Sequence, residues 1–442
     1  MNSPGDSLST VHRESSSSPI WLTIYGGAAA FAAYFCMYAF RKPFSAGTYE
    51  GLTLLNTEVT LKSAFVMSQL CGYIVSKFIG VGVCSQATRK SRGITLVGLI
   101  VWAELALLLL AVLPQSLKPV AMFLNGLSLG MVWGLVVRYL EGRLISDPML
   151  AALCCSFILA SAYVKRVGLE LMQHFGIAEF WMPFATGLVF FVPFLIAVWM
   201  LESLPEPTHK DQVARMTRVP MNFSAQLDFV VRFFFGLATL IAVYFVLTAY
   251  RNFRDDFSVD ILKEEGIGDI GEALTNIENY VAFFVIAIVG AMFLFKGRRS
   301  GLLAMFAVMI LGSVLLAIAT PLYDRQVIDG RTWMFLTGLG GYLIYVPYNA
   351  ALFDRIIAST GTVGTAVFAI MLADFIGYMS TIPLLLGRDL LFSGISHLQF
   401  FRIFTYVVAG VSFVLLVVSG LYFDRVASRV QPVIESTVGS EL

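Results

Sequence analysis

Three residues of one predicted helix could together bind an anion. Tyr34, Tyr38 and Arg41 stand at positions i, i+4 and i+7 of an apolar run, so their side chains share one helical face. A guanidinium presents a rigid fork of donors that fits a planar or tetrahedral oxyanion. The alternative is that Arg41 only ends the helix and extends its head group to the polar boundary of the run.

A second arginine occupies a matching place 210 residues later. Residues 32–41 and 242–251 agree at five of ten positions, and the two stretches end on Arg41 and Arg251. We interpret this match as a duplication that relates two halves of the chain. Such halves usually enclose a site at their interface, so the two arginines are predicted to converge on one axis.

The composition places these residues in a membrane protein. Of the 442 residues, 58% are apolar and 13% are charged, against about 45–50% and about 25% in soluble domains. The apolar runs are continuous, which favours spanning helices over a barrel. Soluble enzymes, nucleic-acid-binding proteins and secreted disulfide scaffolds are thereby excluded, and the net charge of +1 gives no attraction to nucleic acid.

Five more residues with polar side chains stand out against this apolar background. Tyr73 and Lys77 share a helical face, Arg138 ends the fourth run, and Lys165 and Asp374 lie in the middle of the fifth and eleventh. A basic residue at a helix centre costs roughly 2.5–3.5 kcal/mol on insertion, so it usually faces a cavity or a partner. Lys165 and Asp374 could form an ion pair between the halves or couple protons or substrate; we favour a structural or gating role.

Hydropathy predicts an all-α membrane protein of twelve transmembrane helices in two pseudo-symmetric six-helix halves. The predicted spans are 20–40, 58–83, 94–114, 118–140, 149–170, 181–202, 231–250, 277–296, 300–320, 332–353, 362–386 and 400–424. The predicted organisation is an N-terminal tail at 1–19, halves at 20–202 and 231–424, a cytoplasmic linker at 203–230 and a C-terminal tail at 425–442.

Basic residues predict how the chain is oriented. They cluster in loops on the side of the linker, as at Arg89, Lys90 and Arg92, and such loops are usually cytoplasmic. Both termini are therefore predicted to be cytoplasmic, in the inner membrane of a bacterium. The acidic stretch 251–276 is then an external loop that could carry a short surface helix.

Neither a metal nor a cofactor is predicted. The five cysteines are odd in number and lie in or beside apolar runs, and the four histidines are scattered without a paired motif. The expected partners are a small anionic solute and the lipid bilayer, and the chain is expected to act as a monomer.

Several motifs resemble the organophosphate:phosphate antiporters of the major facilitator superfamily. Residues 34–44 carry that family's Tyr-x-x-x-Tyr-x-x-Arg-Lys-x-Phe pattern, and residues 73–78 resemble its Tyr-Gly-x-Ser-Lys-Phe. Further similarities are Asn125-Gly126 with Arg138 in the fourth span, and Arg251 with Asp256-Phe257-Ser258. The resemblance implies a twelve-helix fold in which Arg41 binds substrate phosphate and the tyrosines and Lys77 line the cavity.

The chain also departs from that family's pattern. Ala160 stands where the family has a phosphate-binding histidine, with Lys165 about one turn further on. Thr248 replaces a tyrosine, and Asp374 occupies a position that is usually small. The resemblance implies exchange for phosphate, whereas Asp374 suggests proton coupling, so both mechanisms stay open.

The sequence therefore predicts alternating-access transport of a small anion, an organophosphate, phosphate or an organic acid. Arg41 and Arg251 would clamp the anion, and Tyr34, Tyr38, Tyr73 and Lys77 would complete the site. One alternative is a sensor on the same fold that binds a solute and signals to a partner. Another is a membrane-embedded enzyme or lipid-handling protein, but the sequence shows no nucleophile or metal cluster that would support an enzyme.

Overall fold

A computed structural model describes residues 19–55, 57–86, 89–140, 143, 145–206, 223–292, 294–295, 297–360 and 366–439. Within these residues the secondary structure is helical apart from one β-bridge between Thr53 and Thr60. Residues 1–18 of the predicted N-terminal tail and residues 207–222 of the predicted linker lie outside the described residues.

The first half of the chain holds seven helices that correspond to the first six predicted spans. The fourth span is built from two of them, which follow each other across Gly130 and Met131. The helices are α1 (Pro19–Arg41), α2 (Leu61–Gln86), α3 (Arg89–Val112), α4 (Lys118–Leu129), α5 (Val132–Leu140), α6 (Ser146–Phe175) and α7 (Met182–Glu202).

The second half begins with α8 (Phe223–Arg232), which starts inside the predicted linker and ends two residues beyond it. The tenth predicted span of the chain is broken by a π-helical turn at Tyr348–Leu352. Such turns are often found at functional sites. The remaining helices are α9 (Phe234–Asp256), α10 (Ser258–Glu264), α11 (Ile270–Met292), α12 (Arg298–Asp324), α13 (Gly330–Pro347), α14 (Phe353–Thr360), α15 (Ala366–Leu391) and α16 (His397–Gly439).

Several helix ends differ from the prediction, and those of α9 and α16 differ most in consequence. Helix α9 continues past residue 250 to Asp256, so Arg251 lies within the helix and not at its end. Helix α16 runs on through most of the predicted C-terminal tail to Gly439. Among the described residues, nine helical stretches are long and apolar enough to cross a membrane; α2, α13–α14 and α15 complete the twelve. The protein is an integral, multi-pass membrane protein.

Glycines allow two helices of the first half to pack at backbone distance. A Cβ atom on Gly126 of α4 would lie 2.0 Å from the Gln69 carbonyl oxygen of α2. A Cβ atom on Gly72 of α2 would lie 2.1 Å from the Phe123 carbonyl oxygen. The glycine-rich stretch from residue 126 thus permits the close helix approach that small residues provide in membranes.

Helices α2 and α15 pack against each other across the boundary between the halves, as do α6 and α11. Within the halves, α1 packs on α6 and α7, and α9 packs on α15 and α16. Helices α1 and α9, which carry the two arginines, are thereby held on several sides, and their C-terminal ends lie on one face, opposite the start of α1.

Candidate functional site

Arg41 is the last residue of α1, and its backbone is anchored by two amide side chains. The final carbonyl groups of a helix lack partners within the helix. Gln69 of α2 donates to the Arg41 carbonyl oxygen at 2.8 Å, and Asn125 of α4 donates to that of Phe40 at 2.9 Å. Gln69 also donates to the Asn125 side chain at 2.8 Å. The end of α1 is therefore fixed by the helices beside it.

The Arg41 guanidinium lies among aromatic rings. Its central carbon is 4.5 Å from the ring centre of Tyr73 and 5.8 Å from that of Tyr38. Tyr34 packs edge-on against both Tyr38 and Trp133. Arg41 is only 6% exposed, and among the described residues it forms no ion pair with a carboxylate.

Arg251 has a similar environment in the second half. Its guanidinium carbon lies 4.3 Å from the ring centre of Tyr345 on α13. It donates a hydrogen bond to the neighbouring Asn252 side chain at 3.2 Å, and Asn252 in turn donates to Thr381 of α15 at 2.9 Å. No carboxylate of the described chain pairs with Arg251 either.

Aromatic contacts continue from each arginine toward the other half. The Tyr73 ring beside Arg41 packs against the Tyr378 ring of α15 with centres 5.3 Å apart, and the Tyr345 ring beside Arg251 stacks on that of Tyr244 at 5.3 Å. The Nε atoms of both arginines are buried without a hydrogen-bond partner in the described structure. The structure thus gathers Arg41, Arg251, Tyr34, Tyr38, Tyr73 and Lys77 in one region, and their binding of an anion stays a prediction.

Lys77 is neutralised by Asp374 across the boundary of the halves. The Lys77 Nζ lies 3.2 Å from Asp374 Oδ2, and the Tyr244 hydroxyl of α9 donates to Asp374 Oδ1 at 2.5 Å. Lys77 also sits over the Tyr378 ring, 4.4 Å from its centre. The region around Tyr378 therefore holds three cations and one carboxylate, which leaves a net charge of two positive units.

An ion-pair layer joins the halves on the face opposite the termini. We define it by six residues that pair three lysines of the first half with three aspartates of the second: Lys42, Lys62, Lys165, Asp255, Asp256 and Asp260. Lys42 Nζ lies 2.8 Å from Asp255 and 2.5 Å from Asp256, and Lys62 Nζ lies 2.5 Å from Asp260. The layer is balanced, three charges against three, and leaves Arg41 and Arg251 without a counter-charge.

The layer settles one question that the sequence left open and corrects one expectation. Lys165 does not pair with Asp374; its Nζ lies 2.8 Å from Asp255 Oδ1 and 3.0 Å from the Ser258 hydroxyl. Asp256 and Asp260, expected in an external acidic loop, are only 3% and 7% exposed. Lysines of the other half compensate these carboxylates, which allows their burial.

Arg138 lies apart from the arginine cluster. It stands two residues before the end of α5, and its carbonyl oxygen accepts a hydrogen bond from Arg92 at 3.0 Å. None of the described contacts joins it to Arg41 or Arg251. Its proposed coupling or gating role stays a prediction. The described residues contain no group of three or more His, Cys, Asp or Glu that could hold a metal ion.

Sequence reasoning missed several residues that shape the site. Tyr378 follows Asp374 at i+4, the same spacing that joins Tyr73 to Lys77, and this repeated pattern could have marked it. Gln69 gave no such signal, because a single amide in an apolar run does not reveal which helix end it anchors. Tyr345 lies in an aromatic-rich run, and the sequence does not distinguish it from ordinary core aromatics.

Comparison with solved structures identifies the fold. A D-xylose–proton symporter matches with a TM-score of 0.60 and 14% identity, covering 90% of this chain and 98% of the other. The nucleoside transporter NupG gives 0.57 and 13%, covering 92% and 99%. A peptide transporter, POT, in complex with alafosfalin gives 0.56 and 12%, covering 92% and 95%. The predicted fold is confirmed: an all-α membrane protein with the major facilitator architecture.

Comparison of sequences adds one family. The sequence model of a family of unknown function, DUF5690, matches residues 43–426. A comparison with curated proteins found no match. The matched range covers both halves of the chain, from Pro43 to Val426 within α16.

Proposed function

Since the chain belongs to the DUF5690 family, whose function is unknown, its site has to indicate its function, and we propose that it is a secondary transporter of a small anion. The observation that carries the proposal is the pair of Arg41, which is buried, and Arg251, which is partly buried. The Nε atom of each is buried without a hydrogen-bond partner, and no carboxylate of the described structure pairs with either guanidinium. A buried charge without a partner is costly. An anion bound between the two guanidiniums would compensate both.

The fold suggests how binding would be coupled to movement. In transporters built from two repeats, one half rocks against the other around a central site. Two guanidiniums carried by opposite halves repel each other, and a bound anion removes that repulsion and favours closure. The ion-pair layer would have to separate when the site opens toward the face opposite the termini. The matched solved structures are of transporters, which supports this type of movement.

The chemistry of the site indicates the class of solute. Guanidinium groups bind phosphate and carboxylate oxygens through two parallel hydrogen bonds, and the hydroxyl groups of Tyr34, Tyr38 and Tyr73 could donate to further oxygens. We therefore propose an organophosphate, phosphate or an organic acid as the solute. Exchange of one anion for another is the mode that the family resemblance implies.

The orientation forms part of the proposal. With both termini in the cytoplasm of a bacterium, the ion-pair layer would close the external side of the inner membrane. A reporter fused after Leu442 that is active only in the cytoplasm tests this orientation. If this reporter is inactive, and a reporter that is active only outside the cytoplasm works at the same position, the orientation is the reverse.

Thermal unfolding of the purified protein tests the anion site. We expect at least one anion of a panel containing inorganic phosphate, sulfate, a hexose phosphate and succinate to raise the unfolding temperature. Arg41→Ala and Arg251→Ala should each abolish that rise. Arg299→Ala, which removes an exposed arginine paired with Asp424, is the matched control and should retain it. Equal stabilisation of both site variants and the parent would refute the two-arginine site.

Uptake into liposomes separates transport from sensing. A transporter moves the stabilising anion across the membrane, and Arg41→Ala should not. Binding without any flux would instead favour the sensor alternative.

A further inference from the structure

The Lys77–Asp374 ion pair sits inside the proposed anion site and yet removes one of its cations. Lys77 and Asp374 are 34% and 23% exposed at their side chains, unlike the pairs of the ion-pair layer, where Lys62 and Asp260 are 3% and 8% exposed. The pair is thus reachable from the space between the halves. An anion that enters this space competes with Asp374 for the Lys77 ammonium.

Asp374 is surrounded by one cation and several phenol groups. Lys77 and Tyr73 approach from α2, Tyr244 from α9, Tyr345 from α13, and Tyr378 from its own helix. Helix α14, which also packs on α15, carries Asp354 and Arg355. Lys77 is therefore the cation in direct contact with Asp374. When Asp374 is neutral, the tyrosine hydroxyls can still form hydrogen bonds with it, but Lys77 loses its counter-charge.

We propose that Asp374 couples anion binding to a proton, so that its protonation releases Lys77 as a third cationic ligand and the anion crosses the membrane together with the proton. The inference rests on the proposed anion transport. In the step itself, a proton from solution bonds to a carboxylate oxygen of Asp374. The contact with Lys77 Nζ breaks while Lys77 stays an ammonium, and the anion takes the vacated place. Release of the anion on the other side lets Lys77 re-pair as the proton leaves.

The step also explains why the pair spans the two halves. Lys77 belongs to the first half and Asp374 to the second, and α2 and α15 contact each other along this stretch. Breaking the ion pair removes an attraction between the halves at the moment the anion arrives. The anion then replaces this attraction through Arg41, Arg251 and Lys77.

Binding as a function of pH tests the inference. The probe is the anion of the panel above that gives the largest rise in unfolding temperature. In the parent protein its affinity should rise as the pH falls, by up to about tenfold for each pH unit. In Asp374→Asn, Lys77 has no carboxylate partner at any pH. The affinity for the probe should therefore be high, and the pH dependence caused by Asp374 should be lost. The titration of the probe itself is common to all variants and cancels in the ratio.

A second carboxylate provides the matched control. Asp324 on α12 likewise accepts from one cation and one phenol, Arg402 and Tyr406, but at the end of α12 and away from the site. Asp324→Asn should keep the pH dependence of the parent. An ion pair with only a structural role would instead make Asp374→Asn less stable without raising its affinity.

Transport in liposomes completes the test. An imposed proton gradient should drive accumulation of the probe by the parent protein, whereas Asp374→Asn should exchange internal for external probe without responding to the gradient. Gradient-independent uptake by the parent, or an unchanged response in Asp374→Asn, overturns the inference and leaves the anion site standing. If no anion of the panel binds the parent, the proposed function fails and this inference falls with it.

Discussion

The rings of Tyr73 and Tyr378 pack against each other across the boundary between the halves, with their centres 5.3 Å apart. One turn along the same pair of helices, Lys77 meets Asp374, and the rings of Phe78 and Phe375 lie 5.3 Å apart. Residue numbers rise along α2 as they fall along α15, so the two helices run antiparallel. In this contact between α2 and α15, the Tyr73 ring lies under the Arg41 guanidinium and next to the Lys77–Asp374 pair.

Tyr73 should contribute to anion binding through its ring. Its ring lies under Arg41, and a cation–π contact is worth roughly 0.5–2 kcal/mol. Tyr73→Ala is therefore expected to weaken anion affinity several-fold by releasing Arg41 from its position. Tyr73→Phe keeps the ring and should keep most of the affinity, as measured by the concentration dependence of the unfolding temperature. If Phe is as damaging as Ala, the hydroxyl group and not the ring is the contributing part.

The ion-pair layer should respond strongly to the loss of one partner. Lys62 bonds to Asp260 and to the carbonyl oxygens of Ser45 and Gly47. Lys62→Met leaves a buried carboxylate without compensation, and we expect a loss of about 3–5 kcal/mol in unfolding free energy. Lys62→Met combined with Asp260→Asn should recover part of that loss. Additive losses in a double-mutant cycle would show that the two residues do not interact.

The amide that anchors the end of α1 should affect both stability and binding. Gln69→Leu leaves the Arg41 carbonyl oxygen and the Asn125 side chain without their donor, at an expected cost of about 1–3 kcal/mol. Anion affinity should fall as well, because Arg41 loses its fixed position. Gln115→Leu removes an exposed amide that donates to Thr53, and this control should change neither quantity measurably.

The sequence predicted the helices well because each is a continuous apolar run, and twelve such runs leave few alternatives in a membrane. It also singled out Arg41 and Arg251, since their matching positions are visible without any contact, and their binding of an anion stays a prediction. It could not predict the partner of Lys77, which lies 297 residues away and depends on how α2 docks on α15. The sequence placed Asp256 and Asp260 in a solvated acidic loop. The lysines that compensate their charge, and so allow their burial, belong to the other half of the chain.

Glu264 should make stability depend on pH in the acid range. Its carboxylate accepts from the backbone amides of His397 and Leu398 at the start of α16, at 3.1 and 2.9 Å. Partial burial opposes ionisation, but the hydrogen bonds from His397, Ser396 and Leu398 outweigh it and lower the pKa of Glu264 from 4.5 to about 2.

A lowered pKa in the folded state means that the ionised carboxylate stabilises the protein above its ordinary pKa of 4.5, and that this contribution is lost as the pH falls toward about 2. Glu264→Gln should therefore lower the unfolding temperature at neutral pH and flatten its fall in this interval. Glu50→Gln, which removes an exposed carboxylate paired with Lys263, should leave the pH profile as it is. A parent profile identical to that of Glu264→Gln would disprove the role of Glu264.

Close packing of α2 on α4 should not tolerate a methyl group. The Cβ atom of Gly126→Ala would lie 2.0 Å from the Gln69 carbonyl oxygen, a backbone atom that cannot move aside without shifting α2. We expect a clear fall in unfolding temperature and, because Gln69 anchors Arg41, weaker anion binding. Gly98→Ala on α3 places its methyl group in open space and should be neutral or stabilising by up to about 1 kcal/mol. Equal effects of the two substitutions would mean that helix propensity, and not the contact between α2 and α4, sets the cost.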